Sequence, residues 1–340
     1  MSALRLGSRG SQLALFQARL VAERIRSAGG PDVEIIVIKT SGDRLQEAPL
    51  SEIGGKRLFV KEIEDALIGG AIDIAVHSSK DMPAGLPQGL EIGAVLERED
   101  PRDAVVMRST KVHEDTKIHE GHEEREELRR IAGQLANGAR IGTGSVRRIA
   151  QLRTFFPGAS FQNVRGNVDT RLRKLDAGEL ELLVLAAAGL RRLGYSSRIS
   201  ATVPFEDCMP APGQGIIAIE IRADDRVSRN AVARINNSDA SAALVAERAL
   251  VAALGGGCQM PIGGIAVPVG AQELELQAVV ASLDGMRVVR YKKTGMRDAA
   301  EDLGRAVAAH LLENGAEAIL TDARQEGSST ETNLESLRLT

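Results

Sequence analysis

Tryptophan is absent from this 340-residue chain, aromatic residues make up only 2% of it, and it has just two cysteines. So few aromatic side chains leave little for nucleic-acid bases to stack on, and a net charge of -3 does not suit a dedicated phosphate binder. Two cysteines cannot form a disulfide framework. No apolar run is long enough to span a bilayer, and Met1 to Leu6 lacks the apolar stretch of a secretory signal. We therefore expect a cytoplasmic protein without nucleic-acid or membrane partners.

The chain is 43% hydrophobic and 26% charged, and its length predicts two or three domains. Strand and helix patterns alternate over the first two hundred residues, which predicts two α/β lobes with helices on both faces of each sheet. A hairpin signal and a helix near the end predict a small α+β domain. By its pattern alone, the apolar run Ile216 to Ile221 fits either sheet.

We expect the following domain limits. They are residues 1–100 with 216–235 for the first lobe, 104–209 for the second, 238–325 for the α+β domain, and 326–340 for a frayed tail. A segment near 112–137, rich in Glu, Arg and His, is predicted to be a surface helical insertion in the second lobe.

Cys258 follows three glycines at the end of a helix predicted over 241–254, where a left-handed cap is expected. The glycines clear one flank of the thiol, which favours a covalent attachment point. A small buried hydrophobic residue remains the alternative, because most free cysteines are of that kind. Cys208, beside Met209 and Pro210, has no such clearance and is predicted to be structural.

Two segments concentrate polar groups after predicted strands, where ligands of α/β sheets collect. The first is Ser78-Ser79-Lys80-Asp81, in which Asp81 is either a carboxylate held in a cleft or half of a surface ion pair. The second runs from Gly142 to Arg148 at a helix start. It either binds an anion with its backbone N–H groups and arginines or is an ordinary capped helix.

Further basic groups follow other strands or lie in a glycine-bearing loop: Arg9, Lys56, Arg165 and Arg171. So many cations at strand ends of an acidic protein predict a cleft for a polyanionic small molecule. His113, His119 and His122 are only a weak metal signal within a Glu-rich segment, and no metal is expected.

These motifs together resemble the porphobilinogen deaminase (hydroxymethylbilane synthase) family. The resemblance rests on segments that occur in the family's order over most of the chain: 8–14, 54–62, 77–83, 98–103, 142–148, 164–172, 213–215 and 254–262. It implies two periplasmic-binding-protein-like (type II) lobes with mixed sheets, and a third domain carrying Cys258. It also implies a cytoplasmic monomer and a transferase of porphyrin and haem biosynthesis.

The resemblance implies that Cys258 holds a dipyrromethane cofactor through a thioether. Four porphobilinogen molecules would be joined to it head to tail, each losing ammonia, before water releases linear hydroxymethylbilane. Asp81 would be the catalytic carboxylate, assisted by Lys80. Cofactor and substrate carboxylates would be bound by a set of cationic and polar residues: Arg9, Ser11, Lys80, Thr143, Ser145, Arg147, Arg148, Arg165, Gly166 and Arg171. Lys56, Phe59 and Ser78 would lie by the substrate, and Gln214 at the hinge.

Two positions depart from the family's pattern: Gly144 replaces a usual serine, and Pro212 precedes the hinge glycines. The alternative from another class is a non-catalytic, two-lobed carboxylate-binding protein, because a fold does not by itself determine function. The discriminating residue is Cys258, since a reversible binder has no need of a tethering thiol.

Overall fold

The computed structural model describes residues 3–40, 60–108, 122–257 and 259–336. Within these segments the chain forms three sheets, of five, five and three strands. No helix among the described residues combines the length and the apolar composition needed to cross a membrane.

The first lobe is built around a mixed five-stranded sheet. Its elements are β1 (Leu4–Ser8), α1 (Gln12–Ser27), β2 (Val33–Val37), α2 (Lys61–Ile68), β3 (Ile74–Ser78), β4 (Leu90–Val95), β10 (Ile217–Arg222) and α7 (Arg226–Ala233). The strand order is β2-β1-β3-β10-β4. The strand β1 is parallel to β2 and β3, whereas β10 runs antiparallel between β3 and β4. The run that fits either sheet by its pattern thus belongs to the first.

Local chemistry explains the start of this lobe. The Ser11 side chain accepts a hydrogen bond from the Ala14 N–H at 3.3 Å and so caps α1. One stripe of α1, including Val21 and Ile25, is completely buried against the sheet. The strand β3 is buried on both faces, which accounts for its continuous apolar pattern.

The second lobe repeats this arrangement. Its elements are β5 (Asp103–Met107), α3 (His122–Gln134), β6 (Arg140–Gly142), α4 (Val146–Leu152), β7 (Ser160–Gln162), α5 (Val168–Asp176), β8 (Leu182–Ala186), α6 (Ala187–Arg192) and β9 (Ala201–Val203). The strand order is β7-β6-β8-β5-β9. The parallel strands β7, β6 and β8 are followed by β5, which runs antiparallel to β8 and β9.

The segment near 112–137 is helical where it is described, and most of its side chains are exposed or half-buried. Within α3, however, Leu128 and Ile131 are fully buried in the core of the second lobe. Each such side chain stabilises the fold by about 2–3 kcal/mol. This burial was not readable from the sequence, because charged residues dominate the helix and only a narrow stripe of it is apolar. Residues 109–121 lie outside the described part of the chain.

The third domain packs helices on an antiparallel sheet. Its elements are α8 (Ser238–Ala253), β11 (Ile262–Val269), β12 (Glu273–Ala281), β13 (Val288–Met296), α9 (Ala300–Leu311) and α10 (Glu317–Ser336). The predicted hairpin is β12 and β13, paired up to Ala281 and Val288. The tail expected from residue 326 is helical as far as Ser336, as the end of α10, and the beginning of that helix is buried at Ile319 and Leu320.

Two α/β lobes with mixed sheets and a small α+β domain confirm the predicted fold class. The lobes are joined by two chain crossings, one after β4 and one before β10. The two crossings meet where the Glu99 N–H donates to the Gly215 carbonyl at 3.1 Å. Gly215 has φ +87°, and a Cβ there would lie 2.2 Å from the Glu99 carbonyl oxygen. Only glycine fits this contact.

Candidate active site

The first lobe contributes the turn that follows β3. Ser79–Asp81 forms a single 3₁₀ turn, so Lys80 and Asp81 lie at the carboxyl end of a buried strand, as predicted. Asp81 is exposed and Lys80 is half-buried. The Lys80 Nζ donates to the Gln214 Oε1 at 3.2 Å. The Ser78 hydroxyl exchanges hydrogen bonds with the buried Gln17 amide, at 2.9 and 3.2 Å.

The electrostatics of Lys80 are set by its surroundings. Burial lowers the pKa of Lys80 to about 8, while the charge of Asp81 raises it and that of Arg148 lowers it. Lys80 is therefore a cation at neutral pH that becomes neutral within the mildly alkaline range. Because Arg148 belongs to the second lobe, this mutual effect means that the two lobes face each other at the turn.

The second lobe contributes the start of α4. The Ser145 Oγ accepts from the Arg148 N–H at 3.4 Å, and the Thr143 Oγ1 accepts from the Ser145 N–H at 3.3 Å. Two N–H groups at this helix start thus already have side-chain acceptors. The predicted binding of an anion by this turn stays a prediction.

Arg147 and Arg148 are buried and share one carboxylate. The Arg147 Nη1 and the Arg148 Nη2 each lie 2.8 Å from an oxygen of Asp103. Arg147 also donates to the Met209 carbonyl at 2.6 Å, and Arg148 to the Val184 carbonyl at 2.9 Å. Burial alone would raise the pKa of Asp103, but the two guanidinium groups outweigh it and hold that pKa well below the usual carboxyl range. Binding of ligand carboxylates by these arginines stays a prediction.

Sequence reasoning missed Asp103. The residue is the last polar position of a charged linker, and nothing in the linker distinguishes it from its exposed neighbours. One signal was available: Asp103 immediately precedes the apolar run 104–107, so a strand beginning there would bury it.

Arg171, on α5, is half-buried and donates from Nε to the Gly166 carbonyl at 2.8 Å. Gly166 has φ +100°, a conformation that favours glycine and turns this carbonyl region toward the helix start. Burial lowers the pKa of Arg171 to about 10, with Arg148 and Arg165 lowering it further and Asp81 raising it. Since such effects fade with distance, the predicted cations of the second lobe and Asp81 of the first lie together in one cleft.

Arg9 and Ser11 follow β1, the neighbour of β3 in the sheet. Their position at the same sheet edge as Ser78 agrees with the expected convergence, although Ser11 is engaged in capping α1. Arg9 and Arg165 are both half-buried.

Three predicted site residues lie outside the described residues: Lys56, Phe59 and Cys258. The chain leading to Cys258 is described, and the expected left-handed cap after α8 is confirmed at Gly255, with φ +60°. Cys208 is fully buried in the second lobe, where burial raises the pKa of its thiol to about 12. It is structural, as predicted.

The donor set of the cleft fits a ligand with many carboxylates. Cationic side chains outnumber Asp81 in the cleft, and they come from both lobes. Three buried polar atoms near them have no hydrogen-bond partner among the described residues: the Ser79 Oγ and the Nε atoms of Arg147 and Arg148. A dipyrromethane carries several carboxylates, so its charge and acceptor groups match these donors.

Comparisons with known proteins agree along most of the chain. Residues 4–230 match the family model described as "Porphobilinogen deaminase, dipyromethane cofactor binding domain", and residues 242–313 match "Porphobilinogen deaminase, C-terminal domain". The porphobilinogen deaminase of Syntrophobacter fumaroxidans is 44% identical over 320 residues, covering 94% of this chain and 97% of the relative. That of Syntrophomonas wolfei is 45% identical over 331 residues, covering 96% and 100%.

Solved structures give a much weaker likeness. Immunogenic lipoprotein A from Vibrio vulnificus aligns with a TM-score of 0.37 at 14% identity, covering 70% of this chain and 96% of that one. So low a score supports no conclusion about function.

Proposed function

Because the chain belongs to the porphobilinogen deaminase family, we propose that it is a hydroxymethylbilane synthase, a transferase of tetrapyrrole synthesis. It joins four porphobilinogen molecules head to tail on a covalent dipyrromethane cofactor, with loss of four ammonia molecules, and releases linear hydroxymethylbilane by hydrolysis. The observation that carries this proposal is the near full-length match, supported by a cationic cleft with an exposed carboxylate at its centre.

We assign attachment of the cofactor to Cys258. Its carboxylates and those of the substrate would be held by the residues at the strand ends of both lobes: Arg9, Ser11, Lys80, Thr143, Ser145, Arg147, Arg148, Arg165, Gly166 and Arg171. When bound, the cofactor supplies the free pyrrole carbon to which the first unit is joined, so that the later units extend the chain head to tail. Tethering makes each addition effectively intramolecular, which removes much of the entropic cost of bringing the reactants together.

Asp81 would act on the incoming substrate. Its carboxylate hydrogen-bonds the pyrrole N–H and stabilises the positive charge that develops on the ring as ammonia departs. Exposure of this side chain to the cleft suits contact with a substrate. Lys80 binds a substrate carboxylate beside it, and Gln214 holds the Lys80 ammonium in place. Lys56, Phe59 and Ser78 are proposed to complete the substrate side of the cleft.

Intact-mass analysis of protein purified from cells with normal tetrapyrrole synthesis tests the attachment. We expect the chain mass plus one dipyrromethane, and an unmodified mass in a Cys258→Ser control that retains Cys208. Turnover of porphobilinogen by the purified protein tests the reaction. An unmodified wild-type mass together with absent turnover would favour a non-catalytic carboxylate binder.

The assembly and the domain limits belong to the same proposal. We expect a cytoplasmic monomer that needs no nucleic acid, with domains at 1–100 with 216–235, 104–209 and 238–325. Light scattering at working concentrations checks the monomer, and limited proteolysis followed by mass spectrometry checks the limits. Cleavage concentrated inside a proposed domain would contradict them.

A further inference from the structure

Asp103 stands where the first chain crossing enters the second lobe, as the first residue of β5, and it is completely buried. Four donors converge on its two oxygens. They are the Arg147 Nη1 at 2.8 Å, the Arg148 Nη2 at 2.8 Å, the Gln214 Nε2 at 2.9 Å and the Cys208 Sγ at 3.4 Å. A buried carboxylate with this many partners is held rigidly.

The connection continues through Gln214 to the first lobe. Gln214 is only 1% exposed and lies in the second crossing. Its Nε2 donates to Asp103 and, at 2.6 Å, to the Pro101 carbonyl, while its Oε1 accepts from the Lys80 Nζ. The amide has only this orientation available, because an ammonium can only donate and a carboxylate can only accept. Both crossings and both lobes are therefore joined in one hydrogen-bonded line.

We propose that Asp103 is a positioning residue for the condensation: it holds Arg148 directly, and Lys80 through Gln214, so that one buried carboxylate aligns ligand-binding cations of both lobes. This role rests on the proposed function, since these cations matter to catalysis only if the cleft binds carboxylates. Asp103 itself is shielded from the ligand, and its effect on the reaction is indirect.

The balance of charges around Lys80 gives this hydrogen-bonded line a measurable consequence. The groups that act on Lys80 are Asp81, Arg148, Asp103 and Arg147. The two carboxylates raise the pKa of Lys80, whereas the two arginines and burial lower it. Without the charge of Asp103, Asp81 alone opposes two arginines, and the pKa of Lys80 falls further below its present value of about 8.

The test uses Asp103→Asn in the holoenzyme, because asparagine keeps the shape of the side chain and removes its charge. Competitive acylation of Lys80 at a series of pH values, read by peptide mass spectrometry, gives its pKa without any assay of turnover. We expect that pKa to fall by about one unit. We also expect kcat to fall about 10- to 100-fold from misplaced ligand groups, with the alkaline limb of the rate profile moving to lower pH.

Two further variants separate positioning from folding. Gln214→Met breaks the line at its middle and is expected to lower the pKa of Lys80 in the same direction. In the double variant the two pKa shifts should add, because the charge of Asp103 acts on Lys80 through space and Gln214 acts by a hydrogen bond. The losses of kcat should not add, since both changes release the same ammonium. Cys208→Ala is the matched control. It also removes a buried hydrogen-bond partner of Asp103, but Cys208 is not part of the hydrogen-bonded line that leads to Lys80. It should lower Tm and leave the Lys80 titration as in the wild type.

The outcomes are distinguishable. If Asp103→Asn and Cys208→Ala both lower Tm only, with an unchanged Lys80 titration, the inference is overturned. If Asp103→Asn does not fold, Gln214→Met serves as the test. An unchanged Lys80 titration in Gln214→Met likewise overturns the inference. If the wild type does not convert porphobilinogen, the proposed function fails, whereas the Lys80 titration still reports whether Asp103 controls that ammonium.

Discussion

The two lobes share one strand order but contribute different sets of charges to the cleft. In each, the first parallel strand leads into a serine-capped helix, β1 into Ser11 and α1, and β6 into Ser145 and α4. After the third parallel strand they differ: β3 is followed by the turn with exposed Asp81, and β8 runs directly into α6. The first lobe thus contributes the carboxylate, while the second contributes most of the cations.

The buried carboxylates of the two sheets also differ between the lobes, in the partners that they bind. Each antiparallel strand carries a fully buried carboxylate, Glu220 on β10 and Asp103 on β5. Glu220 pairs with His77 on the neighbouring strand at 3.0 Å, inside the lobe. Asp103 pairs with arginines that begin a helix at the cleft. A repeated fold therefore places equivalent groups in different roles, depending on which element supplies the partner.

Removal of the first lobe's carboxylate should have the largest effect. We expect Asp81→Asn to lower kcat about 10²- to 10⁴-fold, because the amide can neither stabilise the developing cation nor take up a proton. Steady-state turnover of porphobilinogen measures this, with intact mass verifying that the cofactor is present. Asp65→Asn, an exposed change on α2 of the same lobe, is the control. Near-normal turnover in loaded Asp81→Asn would refute the role.

A methyl group at the crossing should disturb both lobes at once. Gly215→Ala places a Cβ against the Glu99 carbonyl and strains a left-handed backbone, which we expect to cost about 2–5 kcal/mol of unfolding free energy. Because the crossing joins the two lobes that line the cleft, kcat and KM should change together. Denaturant unfolding and steady-state kinetics measure these effects.

Gly270→Ala provides the matched comparison for the crossing. Gly270 also has positive φ, +63°, but a Cβ there meets nothing within 4 Å. Only the backbone strain of about 1–2 kcal/mol should remain, with kinetics unchanged. Equal losses of unfolding free energy in the two variants would show that the close contact at the crossing does not add to the destabilisation.

Loss of one cation of the second lobe should be milder. We expect Arg171→Gln to raise KM for porphobilinogen about 10- to 100-fold, the usual loss when a charge-assisted hydrogen bond is removed. Arg173→Gln, an exposed position on the same helix, should leave KM unchanged. Equal KM values for the two variants would argue against a ligand-binding role for Arg171.

The smallest effect concerns pH. The pKa of Lys80 is lowered to about 8, so its ammonium is present below that pH and is lost as pH rises through it. Binding of substrate carboxylates needs the charged form, and kcat/KM should therefore fall about tenfold for each further unit of pH. Lys80→Arg should remove this limb, because a guanidinium stays protonated. If Lys80→Arg leaves the alkaline limb unchanged, the limb is caused by the titration of another group.

Much of the fold was readable from the sequence, because apolar runs and helical stripes report burial directly. The alternating strands and helices of both lobes and the hairpin of β12 and β13 are present, as their patterns predicted. The partner of β10 was not readable, since an apolar run does not specify which sheet it enters. The burial of Leu128 was hidden by the many charges around it.

The position of Lys80 and Asp81 was readable for a related reason. Polar residues placed directly after buried strands must meet at one sheet edge, so Lys80 and Asp81 could be located by order alone. Asp103 could not, because its importance depends on Arg147 and Arg148, 44 and 45 residues away in the chain. Pairings over such distances become apparent only once the lobes are assembled.

The return of β10 to the first lobe constrains how the chain can fold. The strand β10 fills the place between β3 and β4, yet it is synthesised only after the whole second lobe. Until Ile217–Arg222 emerges from the ribosome, the first sheet lacks an inner strand and two of its edges stay open. The amino-terminal lobe can therefore be completed only after its successor has been synthesised, which departs from the usual order of domain folding during synthesis.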